Sequence, residues 1–237
     1  AELSAAKATW LDIKIAKKML KHPLLGEEIP DKWNIALKQG DFNMTSDSHL
    51  FNTEPGPGRL PLYEGKMIHQ FDHKYAKPKY WIDEAEGRKA LLGRNEDKGQ
   101  KLDYQGYRFG IRAIARNTDI VTIITTIIPK KVFNGNSILV YRNALEIKES
   151  INNFEILLLI CILNSFTLNT YSRYMITANI NMFYIYQLPI PRLSEKDPQF
   201  MPIVSRAAKL ICTTPEFDEL ASEVGLGSHK NGVTDPA

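Results

Sequence analysis

The stretch Tyr107-Arg108-Phe109-Gly110-Ile111-Arg112-Ala113-Ile114-Ala115 opens a region dense in β-formers, and residues 120–128 and 138–142 repeat its bias toward Ile, Val, Thr and Tyr. Branched and aromatic side chains suit a pleated, packed surface, so each segment predicts a strand. Asn134-Gly135-Asn136 supplies a turn between the last two, because Asn and Gly tolerate the backbone angles that turns demand. The centre of the chain therefore reads as sheet.

Outward from that centre the period changes. Residues 152–177 carry helical patterning, broken near Asn164-Ser165. They include the apolar run Ile156-Leu157-Leu158-Leu159-Ile160-Cys161-Ile162-Leu163, far short of the ~20 residues that cross a bilayer. Residues 183–187 predict a short strand running into Leu188-Pro189-Ile190-Pro191, and residues 202–211 and 215–223 predict helices. From Gly225 the small and polar composition predicts an unstructured tail.

On the N-terminal side, residues 4–21 predict a helix ended by His22-Pro23. Lys7, Lys14, Lys17, Lys18 and Lys21 fall on one side of it, opposite Ala5, Ala8, Ile15, Ala16 and Met19. That lysine side reads either as a solvated face or as a stripe facing phosphates. Residues 33–38 predict a strand, 60–64 and 66–71 two strand pieces around Gly65, and the charged, glycine-punctuated residues 83–106 a long surface excursion. The order of elements predicts an α+β fold: a mixed, β-rich domain (25–194) between an N-terminal connecting helix (1–24) and C-terminal helices (195–224), with the tail at 225–237.

Hydrophobic residues make up 43% of the 237 positions and charged residues 24%, which is ordinary for a globular chain and excludes wholesale disorder. The net charge of +3 permits contact with nucleic acid without requiring it. Cys161 and Cys212 sit in apolar settings as expected of buried free thiols, which points to a reducing cytoplasm. No secretory signal pattern is visible, and the chain opens on Ala1 inside a helical pattern, as expected of a piece of a longer protein.

Several catalytic signatures are absent: G-x-G-x-x-G, the Walker A loop, H-E-x-x-H, and any Pro-Pro from which an amino-methyltransferase motif could be built. Two weaker constellations are present. His69 and His73 lie four apart and could jointly hold a metal on a helix, but on a strand that spacing separates them by about 13 Å. Glu146-Ile147-Lys148 matches half of a Mg2+-dependent nuclease site, whose second carboxylate would be Asp119 or Asp103.

Basic and aromatic residues interleave in two further places. Lys66, His69, Gln70, His73, Lys74, Tyr75, Lys77, Lys79, Tyr80 and Trp81 form the first, and Arg108, Arg112, Arg116 and Asn117 the second. Lys and Arg can clamp phosphates or read guanine, and Gln and Asn can read adenine.

At these residues the sequence resembles the target recognition domains of Type IIG and Type I-like bacterial restriction-modification enzymes. The likeness is carried by Pro61-Leu62-Tyr63-Glu64-Gly65-Lys66-Met67-Ile68-His69-Gln70-Phe71-Asp72-His73 and by Tyr107-Arg108 followed by Arg112-Ala113-Ile114-Ala115-Arg116-Asn117-Thr118. A third block runs from Leu163-Asn164-Ser165 through Arg173 to Gln187-Leu188-Pro189-Ile190-Pro191. The resemblance implies a clamp on double-stranded DNA that serves an N6-adenine methyltransferase domain outside this chain, with no membrane partner. It implies that this chain holds no cofactor, and that S-adenosylmethionine and any Mg2+ belong to the parent enzyme. Lys66, His69, Gln70, His73, Lys74, Arg108, Arg112, Arg116 and Asn117 are the DNA contacts it suggests, with no catalytic or metal residue among them. Two other readings stay open: a nuclease using Glu146 and Lys148, and a subunit-assembly module acting through its terminal helices.

Overall fold

The computed structural model describes residues 10–114, 120–142, 151–176 and 179–233. The fold is α+β. Strands β1 (Leu37–Gln39), β2 (Arg59–Tyr63), β3 (Tyr80–Asp83), β4 (Arg108–Arg112), β5 (Thr125–Ile128), β6 (Phe133–Asn134) and β7 (Ile138–Tyr141) form two sheets. The first has the order β1-β7-β4-β5 and the second β3-β2-β6. All pairs are antiparallel except β2 with β6.

Strands β4, β5 and β7 of the first sheet are buried along nearly their whole length because both faces are covered. Phe109, Ile111, Ile127, Leu139 and Tyr141 enter the main core. Ile128, Ile138 and Val140 turn the other way, onto Tyr63, Met67 and Ile68. Gly110 lies where β4 is squeezed between neighbours: an added Cβ would meet Ile138 at 2.9 Å and Ile128 at 3.0 Å.

Helices α1 (Trp10–Met19), α2 (Glu84–Leu92), α3 (Asn153–Leu163), α4 (Phe166–Arg173), α5 (Met182–Tyr186), α6 (Phe200–Ile211) and α7 (Asp218–Glu223) complete the architecture. Helix α3 is apolar all round, as a fully enclosed helix must be, and it packs on β5 and α6. Its N-terminus is closed by Asn152 and Glu155, each accepting from the other's backbone N–H, a reciprocal capping box.

Strand β5 is an edge, and its outward backbone groups need partners. Asn164, at the end of α3, donates through Nδ2 to the Thr125 carbonyl at 2.9 Å and accepts the Thr125 N–H through Oδ1 at 3.2 Å. Asn169 on α4 accepts the N–H of Thr122 at 2.7 Å. Ser165 caps α4 by accepting from Leu168 at 3.2 Å. The interruption Asn164-Ser165 is thus both a helix break and the cover of a sheet edge.

Leu188-Pro189-Ile190-Pro191 binds back to the N-terminal segment. Leu25 donates to the Leu188 carbonyl at 2.8 Å and Ile190 to the Pro23 carbonyl at 2.9 Å. Arg192 lies over the Trp33 ring at 4.5 Å and donates to the carbonyls of Leu24 and Leu25. One continuous core consequently runs from Leu25 to Val224. Helix α1, by contrast, contributes no buried residue and rests against α4.

Several expectations are corrected. Residues 66–71 do not form a strand: Gly65–Met67 is a 3-10 turn, and the chain then folds back so that the His69 N–H donates to the Asp72 carbonyl. Phe71 sits at φ 63 in that reversal, the left-handed region that side chains rarely adopt. Gly65 is required by close approach, since an added Cβ would stand 2.8 Å from the Ser137 carbonyl oxygen. Residues 83–106 contain α2, started by Asp83 accepting from Ala85 and Glu86. The sequence 182–186 is helix and not strand, with Asn181 accepting from Tyr184. The C-terminal segment is structured as far as Val233, whose N–H donates to the Lys209 carbonyl at 2.7 Å. The predicted strand at residues 33–38 shrinks to β1.

No single helix among the described residues is long and apolar enough to cross a membrane. Helices α3 and α4 reach that apolar length only as a pair bent by 60°, and α3 is enclosed by protein.

Candidate functional site

The thirteen residues from Pro61 to His73 fold as a strand, a turn and a reversal that lie across the first sheet. Their side chains divide between inside and outside. Tyr63, Met67 and Ile68 are buried against Ile128, Ile138 and Val140. Lys66 stands outside with its side chain 58% exposed, paired with Glu64 at 3.1 Å. The turn that presents it is fastened twice: the Gly65 N–H donates to Ser137 Oγ at 2.9 Å, and Arg112 Nε donates to the Gly65 carbonyl at 2.9 Å.

His69 is half-buried and stacks on the exposed Tyr75 ring, with centroids 4.7 Å apart. Burial and, after it, the nearby Arg112 cation push its pKa below the ordinary value of 6.5 against the pull of Asp72, so a neutral ring predominates at neutral pH. Gln70 donates to the Asn164 carbonyl at 3.1 Å and so belongs to the cover of β5.

Three of the expected contact residues are committed elsewhere. His73 is buried, with Nε2 2.9 Å from Thr214 Oγ1 and Nδ1 3.4 Å from the Tyr63 hydroxyl. Burial drives its pKa down to about 4, outweighing the attraction of Glu216. Both ring nitrogens face protein partners, so His73 is not placed to bind a metal with His69. Among the described residues no group of three or more metal-ligating side chains converges. Lys74 is tied to Glu216 by an ion pair. Arg108 is 2% exposed and forks onto Asp41, donating also to the Val132 carbonyl at 2.7 Å. Arg108 and His73, both expected as DNA contacts, are buried here and staple the interior.

Arg116 and Asn117 lie outside the described residues, as do Glu146, Lys148 and Asp119. Asp103, the other carboxylate suggested for a nuclease centre, is paired with Lys38 at 3.0 Å.

Sequence reasoning missed a groove of ≈ 330 Å³ next to the Gly65 turn, where the ends of β4 and β7 meet residues 179–182. Ser137, which accepts from Gly65, lines it together with Gln39, Asn136, Asn179 and Asn181. The signal in the sequence was the pair of spaced asparagines, Asn134-Gly135-Asn136 and Asn179-Ile180-Asn181. Only folding showed that they meet. Elsewhere large apolar side chains are exposed on or just beyond α1 and α4, with Trp10 69%, Leu20 59% and Phe166 92% exposed, and Ile120 is 88% exposed.

No family model and no curated protein matches the sequence. Among solved structures the chain is similar to a restriction-modification enzyme of Type IIL in complex with DNA. That enzyme is MmeI, 12% identical, with a TM-score of 0.46 over 90% of this chain and 32% of that one. The chain is also similar to the HsdS subunit from Thermoanaerobacter tengcongensis, 15% identical, with a TM-score of 0.35 over 94% of this chain and 47% of the other. The chain thus spans less than half the length of either.

Proposed function

We propose that this chain is a target-recognition domain that grips double-stranded DNA for a restriction-modification enzyme. One observation carries the reading. The sequence block from Pro61 to His73 that resembles such domains forms a braced turn, and it places solvent-exposed Lys66 beside Arg112 and a groove rich in amide side chains. A cation for phosphates next to amides and apolar surface for base edges is the division of labour that sequence-specific DNA binding needs.

Lys66, His69 and Arg112 are the contacts this reading retains from the described residues; Arg116 and Asn117 remain candidates from the sequence. Gln70 and Lys74 are held by protein partners and would act by shaping the surface. Methyl transfer to adenine, and any cleavage, are assigned to domains outside this chain, which would hold S-adenosylmethionine and Mg2+.

Binding of the full chain to a fluorescein-labelled duplex, followed by anisotropy over a salt series, tests the reading. The logarithm of the affinity should fall linearly with the logarithm of salt concentration as phosphate contacts release counterions. No binding to any duplex at low salt would overturn it.

A further inference from the structure

The groove beside the Gly65 turn has a chemical composition that selects among base pairs. Among the described residues none of its lining side chains is ionisable. Two of its amides, on Gln39 and Asn179, are exposed, and among the described residues no hydrogen bond engages either side chain. Asn136 and Asn181 are partly used, accepting from Met44 and Tyr184. Ala113, Ile114, Leu139, Ile180 and Met182 supply apolar wall, and Ile114 is 62% exposed.

Each base pair offers a different edge in the major groove. Guanine, with two acceptors, is met by Arg or Lys, and the cytosine amino group by a carboxylate. Among the described residues the lining has neither. Adenine offers a donor and an acceptor side by side, which a primary amide matches, and the thymine methyl group seeks apolar contact. The groove has both.

Building on the DNA-recognition reading above, we propose that this groove specifies an A·T base pair, with the Gln39 and Asn179 amides reading adenine and Ile114 contacting the thymine methyl. The adjacent Lys66 and Arg112, linked to the groove through Gly65 and Ser137, sit where the flanking phosphates would pass. Gln39 and Asn179 are positioned to set specificity, and Lys66 to set affinity.

Selection by the full chain from a library of duplexes with a randomised centre tests this, followed by anisotropy on the enriched duplex. The wild type should enrich at least one invariant A·T position. Gln39→Ala and Asn179→Ala should each relax that position and weaken the enriched duplex about tenfold, with binding to unrelated duplex unchanged. Replacing the thymine by uracil, which removes only the methyl, should weaken wild-type binding as well. Lys66→Ala should weaken every duplex alike. Retention of the wild-type preference by both amide variants, or a wild type that specifies only G·C pairs, would overturn the assignment while leaving DNA recognition standing. Failure of the wild type to bind any duplex would overturn both.

Discussion

Arg108 Nη1 lies 2.9 Å and 3.0 Å from the two carboxylate oxygens of Asp41, and the pair is shut away from solvent between β4 and the loop after β1. Burial pushes the Asp41 carboxyl upward, but the charges of Arg108 and Lys38 and the Asn134 N–H together hold it below the ordinary carboxylate range. Removing one member of such a pair strands a charge in the interior. Asp41→Asn should lower the unfolding free energy by about 3 kcal/mol, measured by urea denaturation. A loss within the scatter of surface substitutions would show that the pair contributes little.

His73 makes stability depend on pH. Its folded pKa, about 4, lies below the ordinary 6.5, so the unfolded chain binds the proton first as pH falls. Stability is full above the unfolded value and drains away between pH 6.5 and 4. The loss should reach roughly 2 kcal/mol by pH 5. Denaturation of wild type and His73→Gln at pH 7 and pH 5 should show a smaller pH effect in the variant. Equal pH effects would mean that another group dominates.

Asn164→Ala removes the amide that serves both backbone groups of Thr125 on the edge of the sheet. The Thr125 carbonyl keeps the Phe71 N–H at 3.2 Å, but the stranded Thr125 N–H costs about 1–3 kcal/mol, so the variant should be clearly destabilised. The Thr125 amide should also exchange hydrogen faster in native-state exchange experiments. Unchanged exchange at Thr125 would place the protection elsewhere.

Gly65→Ala should shift the turn that carries Lys66, because the new methyl meets the Ser137 carbonyl oxygen at 2.8 Å and Arg112 Cγ at 3.3 Å. The expected cost is about 1–3 kcal/mol in stability, together with weaker duplex binding at equal folded fraction. A variant with wild-type stability would mean that the strands yield without penalty.

Lys66→Ala should lower duplex affinity at all sequences and reduce the magnitude of the salt slope by about one. Thermal stability should fall only modestly, by about 1 kcal/mol or less, since Lys66 is 58% exposed although its partner Glu64 is only 19% exposed. An unchanged salt slope would remove Lys66 from the phosphate-facing set.

The sequence by itself determined the α+β class, strands β2, β4 and β7, and helices α3, α4 and α6, because their composition and period agree with the structure they adopt. It also singled out Asn164-Ser165 and the Pro189–Pro191 segment as boundaries, though not their long-range partners. What only the tertiary structure decided were the fates of charged and polar side chains. Arg108 and Arg112 lie four residues apart on β4, two strand repeats and so on one face, yet one is sealed against Asp41 and the other braces Gly65. Nothing local distinguishes them, since their partners lie 67 and 47 residues away. The short helix Met182–Tyr186 was misread for a related reason: its aromatic and branched residues favour a strand, but the Asn181 cap and the burial of Ile185 in the core hold it as a helix. The groove was invisible for the same cause, because Gln39, Asn136 and Asn179 become neighbours only when β1, β7 and the segment after α4 are brought together. Local pattern reports what a residue's own backbone prefers, whereas a site is a property of residues that folding alone makes adjacent.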